Sequence, residues 1–349
     1  MSLRRLSLFC VNKRCFCLKA NRLCNRRLGD PENRGDFQPG VNFDTLGSWN
    51  NRLNLELHLE QSIKSGRPIP RIQFTDVGHA TLLGRRKTNE DRMCISRLSN
   101  RVMMFAIFDG HSGSVAAQFA AMNLPGHIRF WLNRCDMKRA LKHAFLEFDN
   151  RLSWYLNRLN ISCGTTATVC ILKDNQFLYV AHIGDSLAVL NRKGSVVRLT
   201  REHSPDNPAE RERIESKGGR IVSSSVGGGR VQGRLAMSRC FGDPELKFNG
   251  IIADPDIKHI RVKHGFDAFL VLATDGVSYA LNDQEIIDIV SSCQHPNKAA
   301  QLVTDQALHF GSEDNSSALV VPLGAWGKYA CAPQAIVYSF GKTVIGNRY

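Results

Sequence analysis

Between residues 72 and 322 the chain alternates short apolar runs with polar breaks, and two different periods can be separated. Runs of strand length, rich in β-branched, aromatic and other apolar residues, cover 102–108, 166–172, 177–183, 187–190, 269–273 and 318–321. Several are separated by only a few turn residues, as at 173–175 and 184–186. That spacing suits hairpins and therefore antiparallel pairing. Apolar positions recur with helical spacing over 114–122, 137–156, 208–217, 283–292 and 297–310. Hairpins punctuated by helix pairs predict an α+β fold in which sheets pack together and helices cover the outside.

No linker-like break interrupts this region, which predicts one continuous domain over 71–323. The polar stretch 30–70, interspersed with Pro, Gly and Asn, reads as a linker, and 324–349 as a C-terminal tail. A chain of 349 residues with 43% apolar content can fill one large core. The formal net charge of +14 would suggest nucleic acid or an anionic membrane, but its distribution points elsewhere. Residues 1–29 hold eight Lys or Arg (Arg4, Arg5, Lys13, Arg14, Lys19, Arg22, Arg26, Arg27) and no acid. The rest of the chain is only mildly basic, and without interleaved aromatic and basic residues it predicts no nucleic-acid surface.

The acid-free, Arg-rich leader, broken by Leu and Phe, predicts a mitochondrial transit segment; a disordered basic arm is the plainer reading. No stretch approaches about 18 uninterrupted apolar residues, so no membrane span is expected. Of the eleven cysteines, Cys10, Cys15, Cys17 and Cys24 lie in the leader and the others are scattered through apolar runs without a CxxC pair. Neither a zinc module nor a disulfide framework is supported, and a reducing compartment is expected.

The carboxylates carry the chemistry. The run 103–108 ends at Asp109-Gly110-His111, the run 269–274 at Asp275-Gly276 and the run 179–183 at Gly184-Asp185, while Asp314-Asn315 stands just ahead of 318–321. Taken singly, each is a common turn dipeptide or loop cap. Together, acids at the ends of buried strands can converge on one rim, where hard oxygen ligands suit Mg²⁺ or Mn²⁺. Two such ions acidify and align a water for attack on phosphorus. The segment Gly84-Arg85-Arg86-Lys87-Thr88-Asn89-Glu90-Asp91 adds two acids after a basic turn. It reads as a solvated patch by charge alone, or as a phosphate clamp beside a metal pair.

Seven motifs appear in order: Arg86 with Glu90-Asp91, Phe108-Asp109-Gly110-His111, Gly164-Thr165-Thr166-Ala167, Gly184-Asp185-Ser186, Ser238-Arg239-Cys240-Phe241-Gly242-Asp243, Thr274-Asp275-Gly276 and Glu313-Asp314-Asn315. This set resembles that of the type 2C protein phosphatases over roughly residues 70 to 330. The stretch Gly324-Ala325-Trp326-Gly327-Lys328-Tyr329 and the basic leader are similar to a mitochondrial member of that family.

The resemblance implies a four-layer α/β/β/α sandwich with two central antiparallel sheets flanked by helices, and a metal-dependent phosphatase acting on phosphoserine and phosphothreonine. It implies two Mn²⁺ or Mg²⁺ ions, with Asp109 bridging them, Asp275 and Asp314 completing one shell, and Glu90 and the carbonyl of Gly110 serving the other. Asp91 would hold a metal-bound water, Arg86 would bind the phosphate, and His111 would protonate the departing oxygen. Asp185 would help to hold a third, weaker ion. The implied partners are phosphorylated proteins, by analogy subunits of the branched-chain 2-oxoacid dehydrogenase complex in the mitochondrial matrix.

Three positions depart from the family pattern: Leu187 stands where an Arg is usual, Ser112 where a Gly is usual, and Tyr279 where many members carry an acid of the third metal site. These departures weaken the third site and keep open a non-catalytic module that binds phosphoproteins. The segment 203–219 resembles the flap beside the active site that tunes substrate choice; its plainer reading is a solvated helix. Two other phosphatase chemistries fail on the letters. No cysteine is followed six positions later by an Arg, and Asp254-Pro255-Asp256-Ile257 is followed by Lys258 where the aspartyl-phosphate signature needs Thr or Val.

Overall fold

The computed structural model describes residues 72–223 and 228–329. The leader, the linker 30–70 and the tail beyond Tyr329 lie outside the described residues. Ten strands build two five-stranded antiparallel sheets. They are β1 (Gly78–Leu82), β2 (Arg92–Ser99), β3 (Val102–Phe108), β4 (Ala167–Lys173), β5 (Phe177–Ile183), β6 (Leu187–Arg192), β7 (Ser195–Arg198), β8 (Asp256–Arg261), β9 (Asp267–Ala273) and β10 (Ser316–Pro322). One sheet has the order β1-β10-β9-β6-β7 and the other β8-β5-β4-β3-β2.

The described residues also form six α-helices: α1 (Val115–Leu132), α2 (Met137–Leu159), α3 (Pro208–Ser216), α4 (Asp275–Ser278), α5 (Asp283–Ser291) and α6 (Pro296–His309). Helices α1 and α2 cover the second sheet, and α4, α5 and α6 the first, giving the four layers α/β/β/α. The near-continuous apolar runs of the central strands follow from burial on both faces. In β3, Phe105 and Ile107 belong to the core between the sheets, while Met104, Ala106 and Phe108 pack under α1 and α2. The period of two persists and is masked because both faces are apolar.

The elements the sequence pattern misses are mostly edges. Strands β1, β7 and β8 are largely half-exposed or exposed, and β2 closes one edge of its sheet with polar residues among its buried ones. Helix α1 runs on to Leu132 through Pro125, well past the expected end at 122. Its buried stripe Ala117, Ala121, Leu124 and Ile128 keeps helical spacing across the proline, and that packing offsets the lost backbone hydrogen bond. Helix α2 begins where the Asp136 carboxylate accepts from the amides of Lys138 and Arg139, and stops at Asn160, whose φ of 54° suits Asn.

The core does not end with the last strand. Leu323, Ala325 and Trp326 are buried, Trp326 packs edge-on against Phe269 at 5.6 Å, and its indole N–H donates to the Gln294 carbonyl at 3.1 Å. Substituting Trp326→Ala would remove both and leave a large cavity. The expected cost is about 3–5 kcal/mol, read as a lower urea midpoint at unchanged slope; an unchanged midpoint would show that this segment is not part of the cooperative unit.

Candidate active site

Antiparallel register explains why acids scattered over more than two hundred residues meet. Pairing of Arg92 with Phe108 sets Asp91, just before β2, beside Asp109, just after β3. Pairing of Ala273 with Ala318 brings the loop ahead of β10, with Asp314, to the end of β9, where Asp275 opens α4. Pairing of Leu82 with Ser316 carries the basic turn after β1 to the same place. Strand β5, whose neighbour β4 lies against β3, delivers Asp185.

The motif residues clamp this rim. Thr166 donates its amide to the Asp109 carbonyl at 2.8 Å, Thr165 adds its hydroxyl at 2.9 Å, and the Asp109 amide donates to the Thr166 hydroxyl at 3.0 Å. The Thr166 hydroxyl lies 2.8 Å from that of Ser186, which ties the residue after Asp185 to the same anchor. Asp91 joins the two sheets: its Oδ2 accepts from Thr274 at 3.0 Å and from Ser317 at 2.6 Å. Asn315 accepts from the Glu90 amide at 2.8 Å and donates to the carbonyls of Leu83 and Thr88. Gly276 is required by close approach, since a Cβ there would lie 2.1 Å from the Asn315 carbonyl oxygen.

The electrostatics are those of carboxylates crowded out of water. Burial pushes Asp91 up to about 7 against hydrogen bonds from Ser317 and Thr274 that lower it. Burial, with the charges of Asp275 and Glu202, raises Asp185 to about 8. Asp109 lies well above the usual carboxylate range, through burial and then the charges of Asp275, Asp91 and Asp185. Asp275 is raised by burial, against the interaction with Asp109 that lowers it, and is raised further by the charge of Asp314. Oδ1 of Asp91 and Oδ1 of Asp185 are buried without hydrogen-bond partners among the described residues.

The basic side chain is also here. Arg86 donates to Asp314 Oδ2 at 2.6 Å in a largely exposed pair, and its charge reaches Asp275. Glu90 accepts from the Gly113 amide at 2.9 Å. Ser112 has φ of 59°, a left-handed conformation that glycine adopts without strain, which accounts for the usual residue there. Leu187 is fully buried in the core between the sheets, so it supplies packing and no cation beside Asp185. Tyr279 is exposed one turn beyond Asp275.

His111 lies on a two-residue strand, Gly110–His111, which pairs with Gly164–Thr165, which in turn pairs with Phe241–Gly242. That small sheet brings Asp243 to His111, with Oδ2 2.6 Å from Nε2. Burial opposes the charge of Asp243, yet hydrogen bonds from His111 and Cys240 hold it below the usual carboxylate range. The motif 238–243 carries Asp243, which the ordered motifs alone assign to no role. The signal was present, an acid after Gly242 in the manner of Gly184-Asp185.

The segment 203–219 is more than a solvated helix. Ile214 and Glu210 of α3 are buried, Ile214 in a small core of its own with Val231, Met237 and Cys240. Glu210 pairs with Arg213 and with Arg239 of the same motif, and Arg239 also reaches Asp256.

Residues 75–316 match the family model for protein phosphatase 2C. Protein phosphatase 1K, mitochondrial, of Xenopus laevis is 42% identical over 312 residues, 88% of this chain and 83% of that one. Probable protein phosphatase 2C 17 of Arabidopsis thaliana is 36% identical over 64% of this chain and 78% of its own. Among solved structures, the serine-threonine phosphatase 2C of Toxoplasma gondii superposes with a TM-score of 0.63 at 24% identity, covering 71% of this chain and 94% of that one. A Caenorhabditis elegans sex determining protein gives 0.66 at 23% identity, over 78% of this chain and 71% of its own. At those identities the structural likeness speaks for the fold.

The pKa of Asp185 yields a signed prediction. An acid raised from about 4 unfolded to about 8 folded binds its proton more tightly in the folded state, so it costs stability progressively as pH rises through that window. His127, His182 and His264, all lowered by burial, titrate in the opposite sense, so each pH must be compared with a variant. In chelator, Asp185→Asn should raise the urea midpoint over wild type, and by more at about pH 8 than at about pH 5. An equal gain at both would refute the buried-acid account.

Proposed function

The chain belongs to the protein phosphatase 2C family and is a serine/threonine protein phosphatase; from that premise we propose that it hydrolyses phosphoserine and phosphothreonine by a water activated on two divalent cations. The observation that carries this reading is the rim itself: Asp91, Asp109, Asp185 and Asp275 gathered in burial that raises each of them, with buried carboxylate oxygens that have no hydrogen-bond partner among the described residues. The donor set is all oxygen, as Mn²⁺ and Mg²⁺ prefer.

Glu90, Asp109, the Gly110 carbonyl, Asp275 and Asp314 would hold the two ions, and Asp185 a third site that Tyr279 leaves short of one acid. Bound there, the ions would supply an acidified nucleophilic water and offset charge on the phosphoryl group. Asp91 Oδ1 accepts from the attacking water, and its Oδ2 is kept in place by Thr274 and Ser317. Arg86 exchanges its pairing with Asp314 for the substrate phosphate, the two-pronged geometry for which a guanidinium is suited. His111 protonates the departing serine or threonine oxygen.

The flap α3, docked through Arg239 onto the motif that also carries Asp243, borders the entrance and selects among protein substrates. The site of action is the mitochondrial matrix, on phosphorylated subunits of the branched-chain 2-oxoacid dehydrogenase complex. The acid-free basic leader and the likeness to a relative named mitochondrial support that compartment.

The test is phosphate release from a phosphothreonine peptide with Mn²⁺, with Mg²⁺ and with chelator. Release should require the metal and fall to background in Asp109→Ala and in Asp275→Ala. Release that persists in chelator would overturn the metal mechanism; no release by folded protein with either metal would favour a phosphoprotein-binding module.

A further inference from the structure

The His111 side chain has two ring nitrogens in opposite situations. Nε2 lies 2.6 Å from Asp243 Oδ2, whereas Nδ1 is buried and without a partner among the described residues. Asp243 is itself 4% exposed and firmly placed. Its amide donates to the Cys163 carbonyl at 2.9 Å, the Cys240 thiol donates to the same Oδ2 at 3.1 Å, and its backbone has φ of 47°, a conformation that few residues other than Gly, Asn and Asp adopt readily.

The neighbouring chain is cleared to allow the contact. A Cβ on Gly164 would stand 2.1 Å from Asp243 Oδ2 and 2.5 Å from His111 Nε2. The loop is braced from behind by a buried pair, Lys247 to Asp149 at 2.9 Å, with Lys247 also donating to the Cys240 carbonyl and Asp149 accepting from the Gly242 amide. A glycine, a left-handed aspartate and a buried ion pair all serve one carboxylate that has no place in the metal rim.

We propose that Asp243 is the positioning residue of the general acid: its carboxylate holds the His111 ring through Nε2–H and leaves Nδ1 as the nitrogen that serves the departing oxygen. This rests on the reading of His111 as the general acid. In the step, water attacks phosphorus and the P–O bond to the serine or threonine oxygen breaks with its electron pair retained on that oxygen. The Nδ1 proton of the doubly protonated ring transfers to it, leaving a neutral imidazole whose Nε2–H still donates to Asp243. If the carboxylate acts through the general acid alone, its removal slows those substrates whose leaving group needs a proton.

The experiment compares two substrates in the same sample of full-length protein with saturating Mn²⁺: a phosphothreonine peptide, whose alkoxide needs a proton to leave, and p-nitrophenyl phosphate, whose phenolate does not. For Asp243→Asn, kcat on the peptide should fall about 10- to 100-fold with KM within about twofold, while kcat on the aryl phosphate falls less than about fivefold. The ratio of the two rates is independent of the folded fraction, so partial misfolding cannot imitate the result. His111→Ala should show the same contrast, and the double variant should lose no more than His111→Ala alone. Equal losses on both substrates in Asp243→Asn, or an additive double variant, would overturn the positioning role while leaving His111 as the acid. No contrast in His111→Ala would overturn the general-acid reading together with the inference built on it.

Discussion

Like charges repel, and this fold is arranged so that its carboxylates cannot get away from one another. Antiparallel pairing puts the end of one strand beside the start of the next, so acids that flank β2, β3, β5, β9 and β10 are delivered to one rim whatever their mutual repulsion. The sandwich core holds those strands in register through burial on both faces, and the hydroxyls of Thr165, Thr166, Ser186, Thr274 and Ser317 fix the backbone and one oxygen of Asp91. Burial and mutual charge raise the whole rim: Asp109 and Asp275 lie above the usual carboxylate range, and Asp91 and Asp185 rise to about 7 and about 8. A rim of this kind stores an unfavourable charge arrangement in the fold.

How far the letters revealed this depends on which force placed each residue. Central strands such as β3 and β5 are legible because double-sided burial writes an unbroken apolar run. Edge strands β1, β7 and β8 are not, since half-exposed backbones tolerate polar side chains and their pairing is decided by partners far along the chain. The acids were legible as strand terminators, and their placement on a single rim follows once the register is known. Asp243 lay in a quoted motif, yet its contact with His111 needs two successive two-residue bridges, too short to leave a periodic signature. The helical spacing over 114–122 understates α1, because an Ala- and Leu-lined stripe carries the helix on through Pro125 to Leu132.

The motif 238–243 links the entrance to the chemistry. Arg239 anchors α3 through Glu210, and four residues later Asp243 holds His111. The anchoring of α3 and the placement of the His111 ring therefore share one short stretch of backbone, braced by Lys247 and Asp149. Buried ion pairs of this sort do little for net stability but fix geometry, which is what a loop between two functions requires.

The first strand and the last lie side by side: β1 at Gly78–Leu82 pairs along its whole length with β10 at Ser316–Pro322. During synthesis, the N-terminal strand must wait for almost the entire domain to leave the ribosome before its partner exists. Closure of that sheet is a late, long-range event of the slow kind. Asp314 arrives with the same segment, so the emerging polypeptide carries an incomplete set of acids until its last strand is made. Assembly of the full rim thereby waits on the last strand of the domain by connectivity alone.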